Sequence, residues 1–92
     1  MQTYKVIKQD DIVTIEIEKY NARIKLQKIS DGLYNAFTTQ VDQNFRDQGH
    51  GTEVLECVID WASKNKYKFR ATCPFVIAQA KKLNVDKKIY LR

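Results

Sequence analysis

The sequence predicts an α+β domain in which an antiparallel meander of strands is followed by a βαβ crossover, with two helices in all. Three observations carry this. Apolar and polar residues alternate through most of the first 41 positions, the pattern of half-buried strands. From Thr52 onward the apolar residues instead recur at the spacing of one helical face. Between the two halves lies Arg46-Asp47-Gln48-Gly49-His50-Gly51, which holds two of the three glycines in the chain.

Tyr4 to Lys8 reads as a short strand turning at Gln9-Asp10-Asp11. Val13, Ile15 and Ile17 then alternate with Thr14, Glu16 and Glu18. After a turn at Tyr20-Asn21, Ala22, Ile24 and Leu26 alternate with Arg23, Lys25 and Gln27. Ser30-Asp31-Gly32 is a hairpin signal, because glycine after aspartate readily takes a positive φ. Leu33 to Val41, rich in Tyr, Phe, Thr and Val, is the fourth strand. Val54, Leu55, Val58, Ile59 and Ala62 mark a helix from Thr52, with Lys64 and Lys66 near its negative pole. Tyr67 to Thr72 alternates again as a strand. Pro74 opens a second helix to about Leu83, and Lys87 to Leu91 is expected to close as a short strand.

Ninety-two residues are enough for one domain with one core, spanning residues 1–92, without internal repeat or linker. The 43% hydrophobic and 29% charged content is that of a folded globular chain. No apolar run approaches the roughly 20 residues that span a bilayer, and Met1-Gln2-Thr3-Tyr4-Lys5 leads into a strand rather than a signal segment. A cytoplasmic location and no membrane partner are the resulting expectations. Cys57 and Cys73 fit neither a disulfide framework nor a zinc pattern, so no metal is expected. Cys57, among Val54, Val58 and Trp61, reads as a small buried hydrophobe. The net charge of +5 favours anionic partners, but the basic residues are spread along strand faces.

The loop carries the functional signal. Glycine is costly unless the backbone needs an unusual dihedral or a close approach. The first turn of a helix offers unpaired N–H groups and a partial positive charge, which suit a phosphate. The loop follows an antiparallel meander, unlike a dinucleotide fold, and lacks the lysine of a nucleotide-hydrolysing loop. In this setting Arg46-Asp47-Gln48-Gly49-His50-Gly51 fits the form R/Q-x-x-G-x-G/A. With Val41-Asp42-Gln43-Asn44-Phe45 before it and Thr72-Cys73-Pro74-Phe75 downstream, the chain resembles the GNAT superfamily of acetyl-CoA-dependent N-acetyltransferases, in particular its minimal single-domain subgroup. The resemblance covers roughly Leu33 to Leu91 and implies a GNAT-like mixed sheet.

It also implies a site. The strands ending at Val41 and Thr72 would splay apart, and the pantetheine arm of acetyl-CoA or coenzyme A would bond to main-chain groups of Thr39, Gln40 and Val41. The pyrophosphate would rest on Gln48, Gly49, His50, Gly51 and Thr52 at the helix start, and a side chain at Gly49 or Gly51 would obstruct it. Arg46 either pairs with a phosphate or caps the loop. A main-chain N–H near Val41 is the natural oxyanion donor, and Cys73 is the candidate catalytic residue, as proton donor or transient acetyl carrier. His50 is expected to face solvent or the phosphates. Glu16, Glu18 and Asp42 are weak candidates for a base. The subgroup commonly has a histidine three residues before the terminal valine; here that position is Thr38, which cannot act as a base at neutral pH.

The leading expectation is an N-acetyltransferase acting on an amine of a small molecule or protein. Thr38 motivates an alternative, a CoA-binding module of the same fold with little turnover. The +5 charge and aromatic strands motivate a third, a nucleic-acid-binding domain, against which stand the dispersed basic residues and the absence of a stacking motif.

Overall fold

A computed structural model of the chain describes residues 2–91; Met1 and Arg92, the ends of the predicted domain, lie outside that range. Five strands form one sheet in chain order: β1 (Lys5–Gln9), β2 (Ile12–Ile17), β3 (Ala22–Ser30), β4 (Leu33–Val41) and β5 (Lys68–Ala71). The β1–β4 pairs are antiparallel and β4–β5 is parallel. Helix α1 (His50–Asn65) makes the crossover, and α2 (Pro74–Leu83) follows β5. The α+β class and mixed sheet expected from the periodicity are those of the molecule.

The sheet is amphipathic because side chains alternate across it. Val13, Ile15 and Ile17 on β2, Ala22, Ile24 and Leu26 on β3, and Tyr34 and Ala36 on β4 are buried. Against β2, β3 and β4 lies α1, whose buried stripe runs Val54, Leu55, Val58, Trp61 and Ala62. Trp61 meets Tyr34 and Tyr67 edge-on at ring distances of 5.0 and 5.3 Å. The hairpin at Asp31-Gly32 has the expected left-handed glycine, φ 77°.

Two features open the sheet at one end. Lys25 pairs with Thr38 and Leu26 with Ala36, so Phe37 is an extra residue in β4, a bulge that raises local twist. On the other side, β5 follows β4 only from Leu33 to Ala36; Thr72 and Cys73 then both donate their N–H to the Ala36 carbonyl, at 3.0 and 3.2 Å. Cys73 is extended (φ −70°, ψ 120°), as a residue before proline must be, and Pro74 starts α2. Among the described residues, β4 from Phe37 to Val41 therefore has a ladder partner only on its β3 side.

The first strand lies one residue later than expected, at Lys5–Gln9, and three further elements differ from the sequence expectation. α1 begins at His50, two residues before Thr52, so Gly51 belongs to its first turn. β5 is shorter than Tyr67–Thr72, because Tyr67 is still bonded to the end of α1, its N–H reaching Ala62 O at 2.8 Å. Lys87–Leu91 forms no strand. The Asp86 carboxylate accepts from the Lys88 N–H (2.9 Å) and bends the chain, leaving one parallel bridge between Tyr90 and Phe69.

The N-terminus is clasped to α1 by Tyr4, whose Oη donates to Asp60 Oδ2 at 2.6 Å, while Lys64 Nζ lies 3.0 Å from the same oxygen. These bonds hold the Asp60 carboxyl below the ordinary carboxylate range. Burial, together with Asp60, pushes Tyr4 up to about 12. A carboxyl more acidic in the folded chain contributes stability in full above its unfolded value of about 3.9, and loses it as pH falls through the lowered native value. The tyrosine contribution is full below about 10 and lost as pH rises toward its native value. Melting temperatures of Tyr4→Phe should thus lie below wild type between about pH 5 and 9, and the gap should shrink in acid. An undiminished gap at about pH 3 would contradict the clasp.

Candidate functional site

The open end of the sheet becomes a cleft because three chain segments converge there. The end of β4 that β5 does not reach contributes Thr39, Gln40 and Val41. The loop and first turn of α1 contribute Phe45, Arg46, Asp47, Gly49, His50, Gly51 and Thr52, and α2 contributes Phe75 and Gln79. The cleft has a volume of about 680 Å³. Of the nine predicted cofactor-binding residues, Thr39, Gln40, Val41, Arg46, Gly49, His50, Gly51 and Thr52 line it; Gln48 does not, and its side chain reaches back to the Asn44 carbonyl at 3.5 Å.

The loop leaves β4 through a short 3-10 turn, Gln43–Phe45, fixed by Asp42, whose carboxylate accepts from the Asn44 N–H at 2.8 Å. That bond, with a second from Asn21, holds the Asp42 carboxyl below its ordinary range. Arg46 Nε donates to the Val41 carbonyl at 3.3 Å, so this side chain ties the loop to the strand end while bordering the cleft. Gly49 takes φ 81° at the α1 N-cap, a dihedral that glycine adopts without strain. No N-cap side chain bonds the first turn of α1, whose Gly49, His50, Gly51 and Thr52 border the cleft.

His50 is not solvent-facing. It is 8% exposed, stacked on Tyr20 at 3.6 Å between ring centroids, with Phe45 edge-on at 6.1 Å. Its Nδ1 lies 2.8 Å from Glu53 Oε1, and since a carboxylate only accepts, Nδ1 carries the proton. Nε2 is buried without a partner among the described residues. The imidazole thus pins the first turn of α1 to the loop between β2 and β3, and His50 also borders the cleft.

Cys73 is buried, 7% exposed, at the N-cap of α2, with Sγ 3.5 Å from Thr39 Oγ1. That contact links it to the cleft wall. Thr38, in the bulge, pairs with Lys25 and does not line the cleft. The three acids considered as bases are engaged elsewhere: Glu16 by Arg23 (3.1 Å), Glu18 by Lys5 and Asp42 by its own loop. Cys57 is fully buried in α1, and burial pushes its thiol up to about 11, consistent with the core reading. Among the described residues no group of three or more His, Cys, Asp or Glu is arranged to hold a metal ion, and no helix is long and apolar enough to cross a membrane.

Sequence reading missed Phe75, Gln79 and the Tyr20–Phe45–His50 cluster. Phe75 and Gln79 are one turn apart, a spacing legible in the sequence, but nothing local says that this stripe faces α1. Tyr20 lies 30 positions before His50, and such a stack leaves no local trace.

An antiparallel meander, a parallel fifth strand that parts from its neighbour, and a glycine-capped helix at the opening are the parts from which the cleft of this α+β domain is built. The family described as GCN5-related N-acetyl-transferase matches residues 12–88, and the chain belongs to that family. Among solved structures it is similar to a GCN5-like candidate N-acetyltransferase from Staphylococcus aureus, determined by NMR in solution. The identity is 24% and the TM-score 0.68, over 99% of this chain and 91% of the other. That likeness speaks to the fold. No curated protein matches the chain.

Proposed function

We propose that the protein is an acetyl-CoA-dependent N-acetyltransferase whose acceptor is an amine. One observation carries the reading: the end of β4 that β5 does not reach and the uncapped first turn of α1 border one cleft, which a Thr39 contact joins to Cys73. The residues present fit the cofactor. A Cβ built at Gly49 meets nothing within 4 Å, so the backbone there is bare toward the opening. The N–H groups of Gly49, His50, Gly51 and Thr52 would hold the pyrophosphate, aided by the helix pole. Main-chain groups of Thr39, Gln40 and Val41 would hold the pantetheine arm as an added strand.

Acetyl-CoA supplies the acetyl group as a thioester. The chain's part is to orient it, to stabilise developing negative charge on the carbonyl oxygen, and to move one proton. A main-chain N–H at Val41 serves as oxyanion donor. Cys73 Sγ holds the proton that the departing thiolate needs, and regains one from the acceptor nitrogen, so the thiol is unchanged after a turnover. Thr39 Oγ1, bonded to Sγ, keeps that thiol oriented. With Thr38 off the cleft and the nearby acids engaged, the acceptor amine must arrive unprotonated, and positioning supplies much of the rate.

Acetyl-CoA at one hundred times Kd should stabilise the fold by about 2.7 kcal/mol, a rise in melting temperature on the order of 10 °C for a domain of this size. No shift at millimolar acetyl-CoA would sink the reading. Acetylation across a panel of amines separates an enzyme from a CoA-holding module, which would show the shift without product. A nucleic-acid reading gains little, because Lys5, Arg23, Lys28 and Lys64 are each paired with an acid.

A further inference from the structure

The two loop glycines are required for different physical reasons, and the second leads to a residue outside the motif. Gly49 needs its dihedral: φ is 81°, with open space where a Cβ would stand. Gly51 needs its space. Its dihedrals are helical, but a Cβ there would lie 2.6 Å from Cζ and 2.9 Å from Cε2 of Phe75. The volume that an alanine would need is filled by an aromatic ring.

Phe75 stands two residues after Cys73 in the first turn of α2, and it remains 37% exposed although one edge touches Gly51. One turn further, Gln79 Oε1 accepts from Thr52 Oγ1 at 3.2 Å, so the Phe75–Gln79 stripe is held against the first turn of α1. The ring consequently borders the cleft beside Gly51 of the glycine loop, on the helix whose N-cap is Cys73, and the Cys73 thiol touches Thr39 of the cleft wall. Resting on the cofactor reading above, we propose that Phe75 is the apolar wall against which the pantetheine arm packs. Gly51 is then glycine in order to seat that ring, rather than to let a phosphate approach. An exposed aromatic face gains by losing water to an apolar chain, and it gives nothing to a ligand that ends at the phosphates. The cleft therefore selects ligands carrying the arm over the nucleotide portion alone.

Calorimetric titration of the full chain with CoA and with adenosine 3′,5′-bisphosphate tests this. Phe75→Ala is expected to weaken CoA about tenfold while leaving the bisphosphate within about twofold, and Phe75→Leu to restore most of the loss. Gly51→Ala, which displaces the ring, should also weaken CoA. Added to Phe75→Ala it should cost nothing further, because the obstructing ring is gone. CoA binding by Phe75→Ala equal to wild type overturns the inference. So does a double variant whose loss equals the product of the single losses. Failure of the wild type to bind CoA overturns the cofactor reading and the Phe75 wall together, whereas binding insensitive to Phe75 overturns the wall alone.

Discussion

Gly49→Glu is expected to abolish the thermal shift that acetyl-CoA gives the wild-type protein, while Gly49→Ala keeps much of it. Both substitutions put an L side chain at φ 81°, so both bear the left-handed strain, about 1–2 kcal/mol. Neither meets protein atoms, since the space around the Cβ position is open. The variants differ in what they place at the mouth of α1. A glutamate carboxylate satisfies the same N–H groups and helix pole that would hold pyrophosphate, and it repels a second anion by about 4 kcal/mol at 4 Å in a surface-like dielectric. Melting curves with and without acetyl-CoA check this. A Gly49→Glu protein that still shifts like wild type would mean that the phosphates rest elsewhere.

Phe69→Ala is expected to cost about 3–5 kcal/mol, a large part of the roughly 5–15 kcal/mol that holds a domain together. Phe69 is fully buried on β5 and meets the Tyr90 ring at 5.2 Å. Its backbone bridges the tail, donating to Ile89 O and accepting from the Leu91 N–H, both at 2.8 Å. Removing the ring leaves a cavity where the last strand and the C-terminal segment meet. Urea unfolding measures the cost, with Phe37→Ala as the control, a residue of the same size that is 38% exposed on β4. A loss below about 1 kcal/mol would contradict a core position for Phe69.

Most of the architecture was legible because it rests on local period and turn chemistry. Val13, Ile15 and Ile17 alternate, Val54, Leu55, Val58 and Ala62 follow a helical face, and Gly32 and Pro74 sit where a positive φ and a first turn require them. The loop residues Arg46 to Thr52 were legible through their glycine spacing. What escaped was decided by partners distant in sequence or by hydrogen bonds with no pattern. His50 reads as facing solvent or the phosphates, and its stack on Tyr20 and its bond to Glu53 bury it at the border of the cleft. The tail reads as a strand, but the Asp86 carboxylate turns it first. Gly51 reads as half of a phosphate motif, and only the fold brings Phe75 against it.

The α1 helix also carries the chain's only histidine and only tryptophan. His50 lies at the cleft, under the ring current of Tyr20, and Trp61 lies 11 residues on, about 16 Å along the axis, among Tyr34 and Tyr67 in the core. A single imidazole resonance therefore reports on the mouth of the helix, and a single indole emission reports on the packing behind it. Ligand entry and loss of the fold can be followed as separate signals in one unlabelled sample.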